Sequence, residues 1–247
     1  MPPPALPALA PMLQKLQRRS TFTSQECDAL LELPFRLMHM EAGAYLLREG
    51  DIPKNCCVLL SGMAYRHKLA KDGSRQILSI HFAGDLLGLD QGLLELADHN
   101  VQSLSRVDVG FTPYQAILDL GLAFPNIARA LSRATFVDAS ISREWIVNVG
   151  RRNARQRIAH LICELVVLQD DGGSGKSRRI EWLLTQEQLG DATGLTPVHV
   201  NRTLQELRAA GLIRSDRHAL TILDWTALQD VGGFTRSYLH LPMARAA

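Results

Sequence analysis

The sequence predicts an α+β chain: an antiparallel β-roll, then one long helix, then a compact helical pair with a small β-wing. Three observations carry this. Between Gly43 and Gly84, glycines punctuate short apolar runs at gaps of 7, 12, 11 and 11 residues, a spacing that suits short strands joined by tight turns. After Pro125, the residues Ile127, Ala130, Ala134, Val137, Ile141 and Trp145 recur at three- and four-residue steps. That is the period of a helix with one apolar edge. Residues 184–213 read as two capped helices around a glycine turn.

Composition sets the frame. The chain has 247 residues, 46% hydrophobic and 21% charged, which is ordinary for a globular protein with a real core. No apolar run is long enough to span a bilayer. The opening MPPPALPALAP lacks the basic start of an export signal, so residues 1–19 read as a flexible Pro-rich arm and the cytoplasm is the expected location. Net charge is only +2, but residues 151–247 hold 13 Lys and Arg against 10 Asp and Glu. The modest basic excess therefore lies on the half with the helical pair, where phosphate contacts would want it. Cys27, Cys56, Cys57 and Cys163 form no metal-ligand spacing and read as plain buried thiols.

In chain order, Thr23 and Glu26 form a capping box and start a short helix ending near Pro34. Residues 20–122 are then the β-roll domain, with strand-like runs at 44–47, 56–60, 64–69, 76–82 and 101–109. Asp72-Gly73 is the hairpin turn signal between two of them. Thr112-Pro113 reads as cap and first residue of another helix. Residues 123–150 form the long helix. Its stripe, through Ile127, Ala134, Val137, Ile141 and Trp145, is expected to pair with its twin across a two-fold axis. Gly150 and Asn153 interrupt it, so the hinge is placed at 150–153 and Asn153 caps the next helix. Residues 170–179 are a polar loop; their Gly175-Lys176-Ser177 lacks the first glycine and the preceding strand of a phosphate-binding loop. Residues 151–247 make the last domain, closed by a helix capped by Asp224 and a docked apolar tail at 234–239.

Within that domain, Thr185 with Gln188 is a capping box, Gly194 permits the turn, and Thr196-Pro197 caps and opens the second helix. Val200, Leu204 and Leu207 share its inward face. Val198, Asn201, Arg202 and Gln205 share another. An amide, a guanidinium and an apolar group at that spacing suit base edges in a major groove: Arg for guanine, Asn for adenine. Thr185, Gln186, Thr196, Pro197 and His199 border this face, with Arg214 and Arg217 on the wing, placed for phosphate.

Three stretches together resemble the CRP/FNR family of bacterial transcription regulators. Arg48-Glu49-Gly50-Asp51, Leu59-Leu60-Ser61-Gly62 and Gly84-Asp85-Leu86-Leu87-Gly88 are similar to the glycine signature of its cyclic-nucleotide-binding-like roll. Residues 152–159 are similar to its post-hinge helix, and 184–213 to its winged helix-turn-helix. The resemblance implies a homodimer that reads a pseudo-palindrome in double-stranded DNA, contacts RNA polymerase, and relays the state of the roll through the long helix. Its base-reading positions fall on Pro197, Val198, Asn201 and Arg202. Many members carry Glu where this chain has Val198; valine accepts no hydrogen bond but can touch a thymine methyl.

Cyclic AMP does not carry over. Where cyclic-AMP members place a Glu and an Arg-Ser/Thr pair, this chain has Leu89-Asp90 and Asp98-His99-Asn100-Val101. No effector is therefore assigned. The cysteines do not supply the cluster of the iron–sulfur members, and His67, His81 and His99 lack the H-x-H spacing of a cupin metal site. No catalytic residue, metal or cofactor is expected. The alternative kept open is a small-ligand-binding signalling module that does not bind DNA.

Overall fold

The computed structural model describes residues 7–169 and 178–241. It divides into two units: residues up to Lys68 with Ser79–Ala139 and the last described residues, and Leu69–Leu78 with Ser140–Leu239.

The first unit opens with α1 (Ala10–Gln17) and α2 (Ser24–Leu31). The roll follows: β1 (Arg36–Met40), β2 (Tyr45–Leu47), β3 (Asn55–Ser61), β4 (Met63–Leu69), β5 (Arg75–Phe82), β6 (Leu86–Leu87), α3 (Leu89–Leu94), β7 (Asn100–Ser103) and β8 (Val107–Pro113). Then come α4 (Tyr114–Ala123) and α5 (Pro125–Arg151), which continues into the second unit. The strands form two four-stranded sheets, ordered β1-β8-β3-β6 and β2-β7-β4-β5. The tight turns between them use the predicted glycines; Gly62 and Gly84 have positive φ and also leave no room for a Cβ, which would fall 2.3 Å from Arg106 O and 2.4 Å from Pro11 O.

Two apolar clusters fill this unit. One joins Val58 and Cys56 to Leu30, Leu33, Ile117 and Ile127; the other joins Leu59 and Cys57 to Val101, Val107 and Val109. The adjacent cysteines thus face opposite sides of β3, as period-two geometry requires. Burial pushes the Cys56 thiol up to about 12 and the Cys57 thiol higher still.

Three expectations need correction here. The segment 1–19 is not a flexible arm over its described part: Leu9 and Met12 are fully buried in the first cluster, and α1 packs around them. Tertiary burial overrides a Pro-rich composition. The run 101–109 is two strands separated by 104–106, and β1 and α3 are elements the periodicity did not isolate. Thr112-Pro113 does not cap α4: both residues finish β8, and Pro113 is itself the N-cap.

The second unit holds Leu69–Leu78 with the start of β5, the end of α5, then α6 (Ala154–Gln169), β9 (Arg178–Glu181), α7 (Gln186–Thr193), α8 (Pro197–Ala209), β10 (Ile213–Asp216), β11 (Ala219–Ile222), α9 (Trp225–Gly232) and a 3-10 turn at Ser237–Leu239. The helix α5 runs through Gly150 and breaks only at Arg152. Asn153 then caps α6 reciprocally with Gln156: each side chain accepts from the other's backbone N–H at 3.0 Å. Residues 158–167 of α6 are buried on every face, so α6 is the central rod of the unit. The Gly175-Lys176-Ser177 stretch lies outside the described residues. Among the described residues, no helix is long and apolar enough to cross a membrane.

Candidate DNA-reading surface

The surface is built from α7, α8 and the wing. Thr185 and Gln188 make the predicted capping box, at 3.1 and 2.9 Å. Leu189, Ala192 and Thr193 bury the inner face of α7. Gly194 ends the helix in the left-handed region, with φ 65°. Gly190 matters as much, though only the structure shows why: a Cβ there would lie 2.4 Å from Leu195 O. The turn can close only over a glycine.

Thr196 caps α8 by accepting from His199 N, and Pro197 takes the first helical position. Val200, Thr203, Leu204 and Leu207 are buried. On the opposite face, Val198 is 78% exposed, and Pro197, His199, Arg202 and Gln205 are exposed, while Asn201 is half-buried. Arg202 is steadied by Glu206 one turn on, at 3.8 Å. Thr185, Gln186 and Thr196 are exposed at the helix starts.

The wing is the β10–β11 hairpin, joined on by β9 in the order β10-β11-β9. Ile213 pairs with Ile222 and Asp216 with Ala219. Arg214 and Arg217 are exposed. Arg208 Nε donates to Ser215 Oγ at 2.8 Å and ties the end of α8 to the wing. A further support was not legible in the sequence: within this same unit, Arg75 Nε donates to Asp191 Oδ2 and Gln76 Nε2 to Asp191 O, both at 2.6 Å.

Not every residue named for dimerisation is available. Ile127 is fully buried in its own core, Val137 is 5% exposed, and Trp145 is 7% exposed; Ala134 and Ile141 are half-buried. The apolar stripe is real, but its own chain covers much of it. The edge left open on α5 carries Phe136, Ala139, Arg143 and Ile146, again at three- and four-residue steps, with Phe136 72% and Ile146 69% exposed.

In the roll, strand pairing sets Arg66 opposite Val101. This brings a guanidinium near the Asp98–Asn100 stretch that linear reading left without one. Arg66 lies 4.0 Å from Asp90, and its charge adds to burial in lowering the His99 pKa. His99 Nδ1 is 2.7 Å from Asp98 Oδ1. Among the described residues, no three of His, Cys, Asp and Glu are grouped to hold a metal ion.

Comparison with known proteins agrees with this geometry. Residues 156–231 match the Crp-like helix-turn-helix domain and residues 37–122 the cyclic nucleotide-binding domain. The chain is 25% identical over 217 residues to the fumarate and nitrate reduction regulatory protein of Escherichia coli K12, covering 88% of this chain and 86% of that one. It is also 25% identical over 217 residues to electron transport regulator A of Shewanella oneidensis, covering 87% and 86%. Among solved structures, FixK2 from Bradyrhizobium japonicum superposes with a TM-score of 0.73 at 20% identity, over 81% of this chain and 98% of that chain. A CooA mutant from Carboxydothermus hydrogenoformans gives 0.68 at 17% identity, over 90% and 95%.

Proposed function

The chain belongs to the CRP/FNR family of DNA-binding transcription regulators, and from that premise we propose how it reads its operator. Two copies pair along the open edge of α5, through Phe136, Ala139, Arg143 and Ile146, in place of the seam that periodicity alone suggests. Each copy sets α8 into a major groove, and the two half-sites lie about 34 Å apart along the duplex. Arg202 reads guanine and Asn201 reads adenine. Val198 meets a thymine methyl, so the half-site differs from that of relatives with a glutamate there. Pro197 lines the same groove, and His199 reaches a base or a phosphate. Thr185, Gln186, Thr196, Arg214 and Arg217 hold phosphates, which makes affinity fall steeply with salt. The regulator works in the cytoplasm, contacts RNA polymerase, and performs no catalysis.

The observation that carries this reading is the exposed face of α8, with Val198 and Arg202 outward beside a fully capped turn. Selection of bound duplex from a random pool tests it. A pseudo-palindrome with two guanine-bearing half-sites is expected. Recovery of no enriched sequence overturns the reading. Phe136→Asp with Ile146→Asp is expected to give a monomer in sedimentation; a persistent dimer would move the seam elsewhere.

A further inference from the structure

Around α6 lies a buried polar chain that the DNA-reading surface does not use. Glu164 is 1% exposed. Its Oε1 accepts from Trp145 Nε1 of α5 at 2.7 Å, and its Oε2 lies 2.6 Å from Tyr238 OH of the C-terminal 3-10 turn. The same phenol is 3.1 Å from His160 Nε2, and its ring stacks on the imidazole. His160 Nδ1 is 3.3 Å from Gly232 O at the end of α9. Gly232 sits so close to α6 that a Cβ would meet His160 N at 2.7 Å. The charged groups facing this chain are Glu144 of α5 and Arg152, just past the end of that helix. Arg152 is held by Glu144 at 2.6 Å, and Glu144 Oε1 is 3.6 Å from His160 Nε2.

Proton counting decides the state of Glu164. Tyr238 has one hydroxyl proton and two neighbours that want it. Were Glu164 a carboxylate, the phenol would donate to it and His160 Nε2 would need a proton to face the phenol oxygen: the neutral Nε2–H tautomer leaves a bare Nδ1 against Gly232 O, and the imidazolium puts a charge on a ring that burial holds neutral. With Glu164 protonated, every donor finds an acceptor. Oε2–H donates to the Tyr238 oxygen, the phenol donates to His160 Nε2, and Nδ1–H donates to Gly232 O. Trp145 donates to Oε1. A buried network is stable when all its members are satisfied.

We propose that Glu164 is a positioning residue of the DNA-reading unit. As a neutral acid it ties the last turns of α5 to α6 and to the C-terminal segment, and its deprotonation loosens that tie and weakens operator binding. Titration fits the geometry. Burial pushes the Glu164 carboxyl up to about 7, against the pull of its two donors, and burial pushes His160 down to about 4. The proton on Glu164 therefore leaves near neutral pH, while His160 stays uncharged.

The effect on operator binding rests on the DNA-binding reading; the protonation state does not, so two measurements separate them. Infrared spectra of the DNA-free protein should show a buried protonated carboxyl at pH 6 that fades by pH 8.5 and is absent from Glu164→Gln. Should Glu164→Gln fail to fold, Trp145→Phe should shift the same band. No variant-sensitive band at pH 6 overturns the proposal. Binding to the duplex recovered by selection should then weaken roughly fivefold or more between pH 6 and 8.5 in the wild type. Glu164→Gln, which mimics the neutral acid, should change by less than about twofold over the same range. Matching pH profiles for the two proteins also overturn it. If no duplex is recovered, the operator reading fails while the spectra still judge the latch.

Discussion

Lys15 Nζ and Asp85 Oδ1 lie 2.6 Å apart, joining the first helix to the glycine signature of the roll. Asp85 also accepts from Phe82 N at 2.9 Å and faces His81 Nδ1 at 3.5 Å. Burial alone would raise this carboxyl, but Lys15 and His81 outweigh it and hold it below the usual aspartate range. A depressed carboxylate contributes stability above its unfolded pKa, and that contribution is lost as pH falls toward the folded value. Lys15→Met should therefore cost about 1–3 kcal/mol at pH 7, less than for a fully buried pair because both side chains keep some exposure. Urea melts of variant and wild type check this, and the gap should narrow as the pH drops below 4 or so.

Gly190→Ala tests the turn between α7 and α8. A Cβ placed 2.4 Å from Leu195 O cannot be relieved by rotating a side chain, because the obstructing atom is backbone. The expected result is a loss of about 1–3 kcal/mol in unit stability, with operator binding lost at least tenfold. Gly211→Ala is the control: its φ of 69° is strained for alanine, but nothing lies within 4 Å of the new Cβ. It should spare DNA affinity relative to Gly190→Ala in shift assays.

Val198→Glu should change what is read, not merely how tightly. The position is 78% exposed and already faces outward, so a glutamate folds there without cost to the core. A carboxylate accepts from cytosine N4, and each good base contact is worth about 1–3 kcal/mol of discrimination. Selection with the variant should exchange thymine for cytosine at one position of each half-site. An unchanged preference would remove Val198 from the reading face.

His160 and Glu164 should balance one another in stability against pH. The raised carboxyl contributes stability below about 4.5 that is lost as pH climbs to about 7. The lowered imidazole does the opposite: its contribution is full above about 6.5 and is lost as pH falls to about 4. Between about 4.5 and 6.5 the slopes cancel, because folding moves a proton from one group to the other. His160→Gln should unmask the carboxyl slope, with stability falling as pH rises through that window by at most about 1.4 kcal/mol per pH unit. Glu164→Gln should slope the other way. Melting temperatures across the window read both.

Local signals in the sequence were reliable wherever one residue and its near neighbours decide the geometry. Thr23, Thr185, Thr196 and Asp224 all cap helices as their spacing requires. The inward face of α8 follows from period alone. What period cannot say is which partner covers a face. The stripe from Ile127 to Trp145 is visible in the sequence, yet only the fold shows that Ile127 meets Leu9 and Leu30 in a common core and that Trp145 donates to Glu164. The network around α6 was invisible for a simpler reason: Glu164 and Tyr238 are separated by 74 residues, and Trp145 and Glu164 by 19. The helix α1 was hidden by composition, since Pro-rich sequence rarely orders itself without a surface to bury against.

Tyr238 and Leu239 are 9% and 0% exposed, so the 3-10 turn at Ser237–Leu239 forms part of the interior of the unit that carries α7 and α8. A growing polypeptide still attached to the ribosome just past α8 has the recognition residues but lacks this brace. The unit can thus take the shape that presents α8 only once Tyr238 has been made, and a stop codon before it would leave a chain with the whole of α8 but without the frame that holds it.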